Sequence, residues 1–122
     1  MSNDAEATFA KLKERILLFS DEREWGKIHS PKNLSMALAS EAAELMELFL
    51  WVDSKDSQSL IDDPVKGPRI REELADILIY ALEFSNRTGI DVSQAIEEKI
   101  AVNGRKYPAD KFRGSSKKYY EA

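Results

Sequence analysis

A chain of 122 residues, 43% hydrophobic and 33% charged, has the length of one domain and the composition of a folded one, which excludes wholesale disorder. Its formal net charge of -4 gives no general attraction for nucleic acid, and with no cysteine and one histidine, His29, it excludes disulfides, thiolate metal sites and zinc sites built on two or more histidines. Five scattered glycines leave no phosphate-cradling loop or dinucleotide fingerprint, and a serine triad would depend on His29 alone.

In chain order, Met1 is followed by polar "SNDAEAT" rather than by a signal peptide, and apolar runs such as "LFLWV" are too short to span a bilayer. The expected location is therefore the cytoplasm, with no membrane partner. Phe9, Leu12, Ile16, Leu17 and Phe19 recur at helical spacing and predict a first amphipathic helix over 5–20. "DEREWGKIHS" reads as a short connection with room for one helical turn. Ser30 before Pro31 opens a second helix over 31–52, since serine can accept from unpaired amides and proline at the first position loses no bond. Residues 53–68 combine aspartates, serines, glycine and two prolines, and are expected to be a flexible loop. A third helix follows over 69–87, with Gly89 suited to its C-terminal cap. Asp91 with Gln94 three places on begins a fourth over 91–104, and 105–122 form a basic, aromatic tail. No segment alternates with period two, so a single all-α domain is expected over 1–122.

On a helical wheel, Asn33, Ser40, Glu41, Glu44, Glu47 and Trp51 share a stripe roughly 120° wide on the second helix, and the remaining roughly 240° is almost wholly apolar. The third helix repeats the design, with a polar stripe of Arg69, Glu73, Asp76, Tyr80, Glu83 and Arg87. If the stripes face each other, Glu41, Glu44, Glu73 and Asp76 converge. One uncompensated buried carboxylate costs on the order of several kcal/mol, against a net stability of about 5–15 kcal/mol for a domain of this size. Four together therefore require cations, and oxygen ligands without histidine or cysteine select magnesium or manganese. The competing expectation is a solvated face, the usual fate of acidic pairs at i and i+3. Magnesium held by carboxylates normally serves substrate phosphates, so the residues themselves point to a nucleotide or other phosphate ester hydrolase. The wide apolar arcs exceed what one short chain covers and predict a homo-oligomer.

The segments "EWGKIHSPKNLSMALASEAAELMELFLW", "EELADILIY", "KIAVNGRKYP" and "RGSSKKY" together resemble the MazG-like all-α nucleoside triphosphate pyrophosphatases, in particular the dCTP pyrophosphatase type. The likeness covers roughly 9–120 except the loop. It implies a four-helix bundle-like fold, assembly as a tetramer (a dimer of dimers), and magnesium-dependent hydrolysis of a nucleoside triphosphate to monophosphate and pyrophosphate, with attack at the α-phosphorus. dCTP or a modified or non-standard deoxynucleotide is the expected substrate, in a pool-cleaning role. By position, the resemblance makes Glu41, Glu44, Glu73 and Asp76 the metal ligands and catalytic carboxylates, and sets Trp25 and Trp51 beside the base. Tyr80 then contacts sugar or phosphate, or sits at an interface. Lys99 and Asn103, at i and i+4, face a phosphate oxygen and a neighbouring hydroxyl, or solvent. His29 and Asn33 touch the base or cap the second helix, and Arg113 and Lys118 belong to a solvated tail or are further phosphate contacts. Glu47 is expected to orient a neighbouring group or to pair with a base such as Lys99. Ile16 stands where some relatives carry a histidine, which leaves base preference open. The alternatives are a helical dUTPase-like enzyme and a non-enzymatic helical module whose acidic strips bind a basic partner.

Overall fold

The computed structural model describes residues 1–121. Among them the expected all-α architecture holds: every regular element is helical, and no helix is long and apolar enough to cross a membrane. The chain forms two compact units, Met1–Gly89 and the residues from Ile90 onward. The first unit contains α1 (Phe9–Glu22), α2 (Pro31–Phe49), the one-turn α3 (Ser54–Ser57) and α4 (Lys66–Thr88), with 3-10 turns at Trp25–Lys27 and Gln58–Asp62. α4 is its organising element and packs along α2 and against α1. Leu34, Leu48, Ile70 and Leu82 form the buried apolar core between them. In the second unit, α5 (Val92–Lys106) is followed by the one-turn α6 (Ala109–Phe112) and a 3-10 turn at Tyr119–Glu121.

Local hydrogen bonding explains where the helices depart from their expected ends. α1 starts at Phe9 rather than at residue 5, because the Thr8 hydroxyl accepts from the Lys11 N–H at 3.2 Å and caps the helix there. The preceding residues instead turn around Asn3, whose side-chain oxygen accepts from the Ala5 and Glu6 N–H groups. Ser30 caps α2 as expected, accepting from the Asn33 N–H at 3.1 Å with Pro31 at the first position. That helix ends at Phe49 rather than at 52, so Trp51 lies beyond it.

The 53–68 segment is not a plain loop: it carries α3 and a 3-10 turn, and α4 begins three residues earlier than expected, at Lys66. Asp63 makes that start, accepting from the Lys66 N–H at 2.7 Å and the Val65 N–H at 3.0 Å, and these bonds hold its carboxyl below the ordinary value of 3.8. Pro68 falls in the first turn, where its missing N–H costs nothing. Gly67 is buried against the preceding turn, and a Cβ there would stand 2.2 Å from the Ile61 carbonyl oxygen, a backbone atom that cannot swing aside. Gly67→Ala is therefore expected to lower stability by about 1–3 kcal/mol, the usual cost of overpacking, and a urea melt checks it.

Gly89 ends α4 with φ 73°, and its N–H donates to the Ser85 carbonyl at 2.9 Å. Asp91 caps α5 from the Gln94 N–H at 2.9 Å, as expected. α5 runs past Gly104 to Lys106, because the Tyr107 N–H still finds the Asn103 carbonyl at 2.8 Å. The tail is more ordered than a simple extension, with the Tyr107 ring edge-on to Phe112 and Tyr119.

Candidate active site

The facing stripes of α2 and α4 bring acids together as their spacing predicts. Glu41 from α2 and Glu73 and Asp76 from α4 each offer a carboxylate oxygen, and these oxygens lie within 4.8 Å of one another. Glu41 Oε2 and Glu73 Oε2 are buried, and no donor reaches either among the described residues. Two acceptor-only groups in that position need a proton or a cation between them. Glu41 shows the consequence. Hydrogen bonding to Glu73, then partial burial and the bond and charge of Glu44, push its carboxyl from 4.5 up to about 7. Glu44 thus sits close enough to act on Glu41, although it is exposed and stands outside the group of three.

This donor set suits a hard divalent cation: three carboxylates, two of which carry a buried oxygen without a donor, and no nitrogen or sulfur. Below about pH 7 Glu41 holds a proton that a cation must displace, so affinity should weaken as pH falls, by up to about tenfold per unit. Isothermal titration of magnesium into the protein at pH 6 and pH 8, in buffers of different ionisation enthalpy, should show tighter binding at pH 8 and proton release on binding at pH 6.

Beside the acids opens a cavity of about 300 Å³ lined by Ile16, Phe19, Ser20, Trp25, His29, Glu41, Asp76, Ile79, Tyr80 and Glu83. Its lining combines acids with aromatic and apolar side chains. Trp25 packs edge-on against Phe19 at 5.7 Å and tilts over His29 at 5.8 Å, and the 3-10 turn after α1 holds it there. Trp25, His29 and Tyr80 therefore line the same space as two of the acids. Asn33 is not among the lining residues: its side-chain amide donates to the Ile28 carbonyl at 2.9 Å and ties the start of α2 to the preceding turn. Trp51, placed on the acidic stripe by the wheel, is 91% exposed and does not line the cavity, because α2 has ended before it. Glu47 is exposed. Lys99 and Asn103 are exposed on α5 in the second unit, and Arg113 there pairs with Asp110 at 3.4 Å.

Glu83, which lines the cavity, and Arg87, which bonds to it, were assigned no role from the sequence. Glu83 is 1% exposed and accepts from His29 Nδ1 at 2.7 Å, Asn86 Nδ2 at 3.1 Å and Arg87 Nη2 at 3.1 Å. Burial alone would push its pKa up, but the hydrogen bonds from His29, Ser20, Asn86 and Arg87 outweigh it and hold the carboxyl below 4.5. Arg87 also reaches Ser20 Oγ at 3.1 Å and Asp21 at 3.3 Å. The available signal was their i and i+4 spacing on the polar stripe of α4. Their partners on other elements left no mark in local spacing.

A MazG-like family model matches residues 36–121. The dCTP pyrophosphatase 1 of Bos taurus is 36% identical over 97% of this chain and 70% of its own length, and that of Homo sapiens is 36% identical over 95% and 68%. A crystal structure of a pyrophosphatase from Archaeoglobus fulgidus superposes with a TM-score of 0.75 at 35% identity, covering 88% of this chain and 99% of the other. With both the helical fold and the sequence agreeing over most of its length, the chain belongs to the MazG-like family.

Proposed function

We propose that the chain, a nucleoside triphosphate pyrophosphatase, hydrolyses dCTP or a modified or non-standard deoxynucleotide to the monophosphate and pyrophosphate, with magnesium at Glu41, Glu73 and Asp76. The observation that carries this is that Glu41 and Asp76 line one cavity together with Trp25 and His29. A nucleotide calls for both kinds of group: its phosphates need cations and its flat base stacks.

When bound, the ion neutralises phosphate oxygens and lowers the pKa of water. The protein's own groups do the rest. Glu41, Glu73 and Asp76 hold the cation, with manganese as a substitute, and Glu44, acting on Glu41, completes the acidic set. Phe19, Ile16 and Ile79 keep water from the base while Trp25 offers it an aromatic face. Tyr80, on the same stripe as Asp76, supplies a hydroxyl for sugar or phosphate. Trp51, exposed and outside the cavity of its own chain, would reach a base only across an interface between copies of the chain.

Leu18, Met36, Met46, Leu50, Leu74 and Leu78 are all about half exposed, apolar surface that other copies of the chain would cover, and this supports a homo-oligomer, a dimer of dimers. A cytoplasmic pool-cleaning role completes the proposal.

A panel of the four standard dNTPs, dUTP and 5-substituted dCTP, each with magnesium, tests the substrate. The expected order places cytosine nucleotides first in kcat/KM. Dominance of dUTP would instead identify a helical dUTPase-like enzyme.

A further inference from the structure

The cavity wall contains a buried hydrogen-bonded set that metal binding does not use. His29 Nδ1 stands 2.7 Å from Glu83 Oε2 and 3.2 Å from Ser20 Oγ. Asn86 and Arg87 donate to the same carboxylate, so Glu83 is surrounded by donors, and Asn86 is itself fixed by donating to the Lys13 carbonyl at 2.9 Å. An ionised carboxylate only accepts, so the hydrogen on the 2.7 Å contact belongs to Nδ1. The other ring nitrogen, Nε2, has no partner among the described residues, although the His29 ring lines the cavity. In the neutral ring with Nδ1 protonated, Nε2 is an acceptor, and its partner sets which one it is.

From this arrangement we infer that Glu83 is a positioning residue for base selection: it anchors His29 so that Nε2 meets the base as an acceptor, which favours a 4-amino pyrimidine over its 4-oxo counterpart. A 4-amino group donates to Nε2, whereas a 4-oxo group sets acceptor against acceptor. Ser20 and Arg87 complete the clamp by bonding each other across the α1–α4 contact at 3.1 Å. The inference rests on the base occupying the cavity proposed above.

Because His29 is the only histidine, a protein labelled with 15N in histidine and tryptophan reports its ring without ambiguity. The free protein at pH 7.5 should show a protonated Nδ1 and an unprotonated Nε2. Titration with dCMP should move the Nε2 signal and leave Nδ1 in place, while dUMP moves it much less. Glu83→Gln, which keeps the size of the side chain, should lower the kcat/KM ratio of dCTP to dUTP by about tenfold, the worth of one hydrogen bond. In a His29→Ala background the same change should have no further effect on that ratio, since Glu83 acts through the ring. A merely structural Glu83 would lower both substrates' turnover equally and leave the ratio unchanged. An Nε2-protonated ring, or indole signals that respond to dCMP while Nε2 does not, would overturn the inference and leave the cavity as the base site. If neither indole nor imidazole signals respond, the base does not bind there, and both fall together.

Discussion

Glu41→Gln and Asp76→Asn should each lower kcat/KM by about 10³-fold while leaving the protein folded, because loss of one group that supports transition-state charge typically costs about 10²–10³. Metal-free stability should move the other way. Glu41 faces Glu73 with no donor between their buried oxygens, and a glutamine at 41 supplies an N–H to that gap. The expected gain is about 1 kcal/mol, or a few degrees in melting temperature. Magnesium should reverse the order, since saturation at about a hundred times its Kd stabilises the wild type by about 2.7 kcal/mol and the variants much less. The sign with pH follows from the raised Glu41 pKa. Its proton-bound form favours the metal-free fold fully below 4.5, and that contribution is lost as pH rises through about 7. Kinetics together with melts, with and without magnesium, check each part. Variants that lose activity and also melt lower without metal would mean that the acids serve the fold rather than the cation.

Removing Glu83 should lower stability about as much as truncating a core leucine such as Leu34. Glu83→Ala leaves Arg87 and the His29 ring facing a buried gap, and breaking a buried charged pair from one side costs about 3–5 kcal/mol. The melting temperature should fall by roughly 10 °C or more. Asp21, the exposed member of the same set, provides the contrast: its bond to Arg87 lies at the surface, where such pairs are worth about 1 kcal/mol or less. Asp21→Ala should therefore be nearly silent. Since the Glu83 pKa is lowered, its contribution is present above the ordinary value of 4.5 and is lost as pH falls through the folded value. The wild type should accordingly lose stability in acid more steeply than Glu83→Gln, which thermal melts from pH 7 to pH 3 will show.

The parts of the site that were legible from sequence are those governed by helical period alone. Glu41, Glu73 and Asp76 converge because i, i+3 spacing fixes a face whatever the tertiary context, and the apolar remainder of each helix forces the two faces to meet. Trp51 shows where that logic stops: a wheel applies only while the helix lasts, and α2 ends at Phe49. Asp63 was read as loop chemistry, yet its carboxylate starts α4 by accepting from two backbone amides, a role that depends on chain direction rather than composition. Glu83 was placed on the polar stripe of α4 without a function, because its partner His29 lies 54 residues away and no local pattern records that approach. The same limit applies to Ser20, an ordinary residue in the first helix until it meets His29 and Arg87.

The most direct test of a carboxylate-held cation serving pyrophosphate release is 31P NMR of dCTP incubated with the protein, first with magnesium and then with excess chelator. The expected spectrum with magnesium contains dCMP and pyrophosphate and no orthophosphate, and with chelator the dCTP remains intact. Turnover that persists without a divalent cation, or the appearance of dCDP with orthophosphate, would contradict the assignment of Glu41, Glu73 and Asp76 to that role.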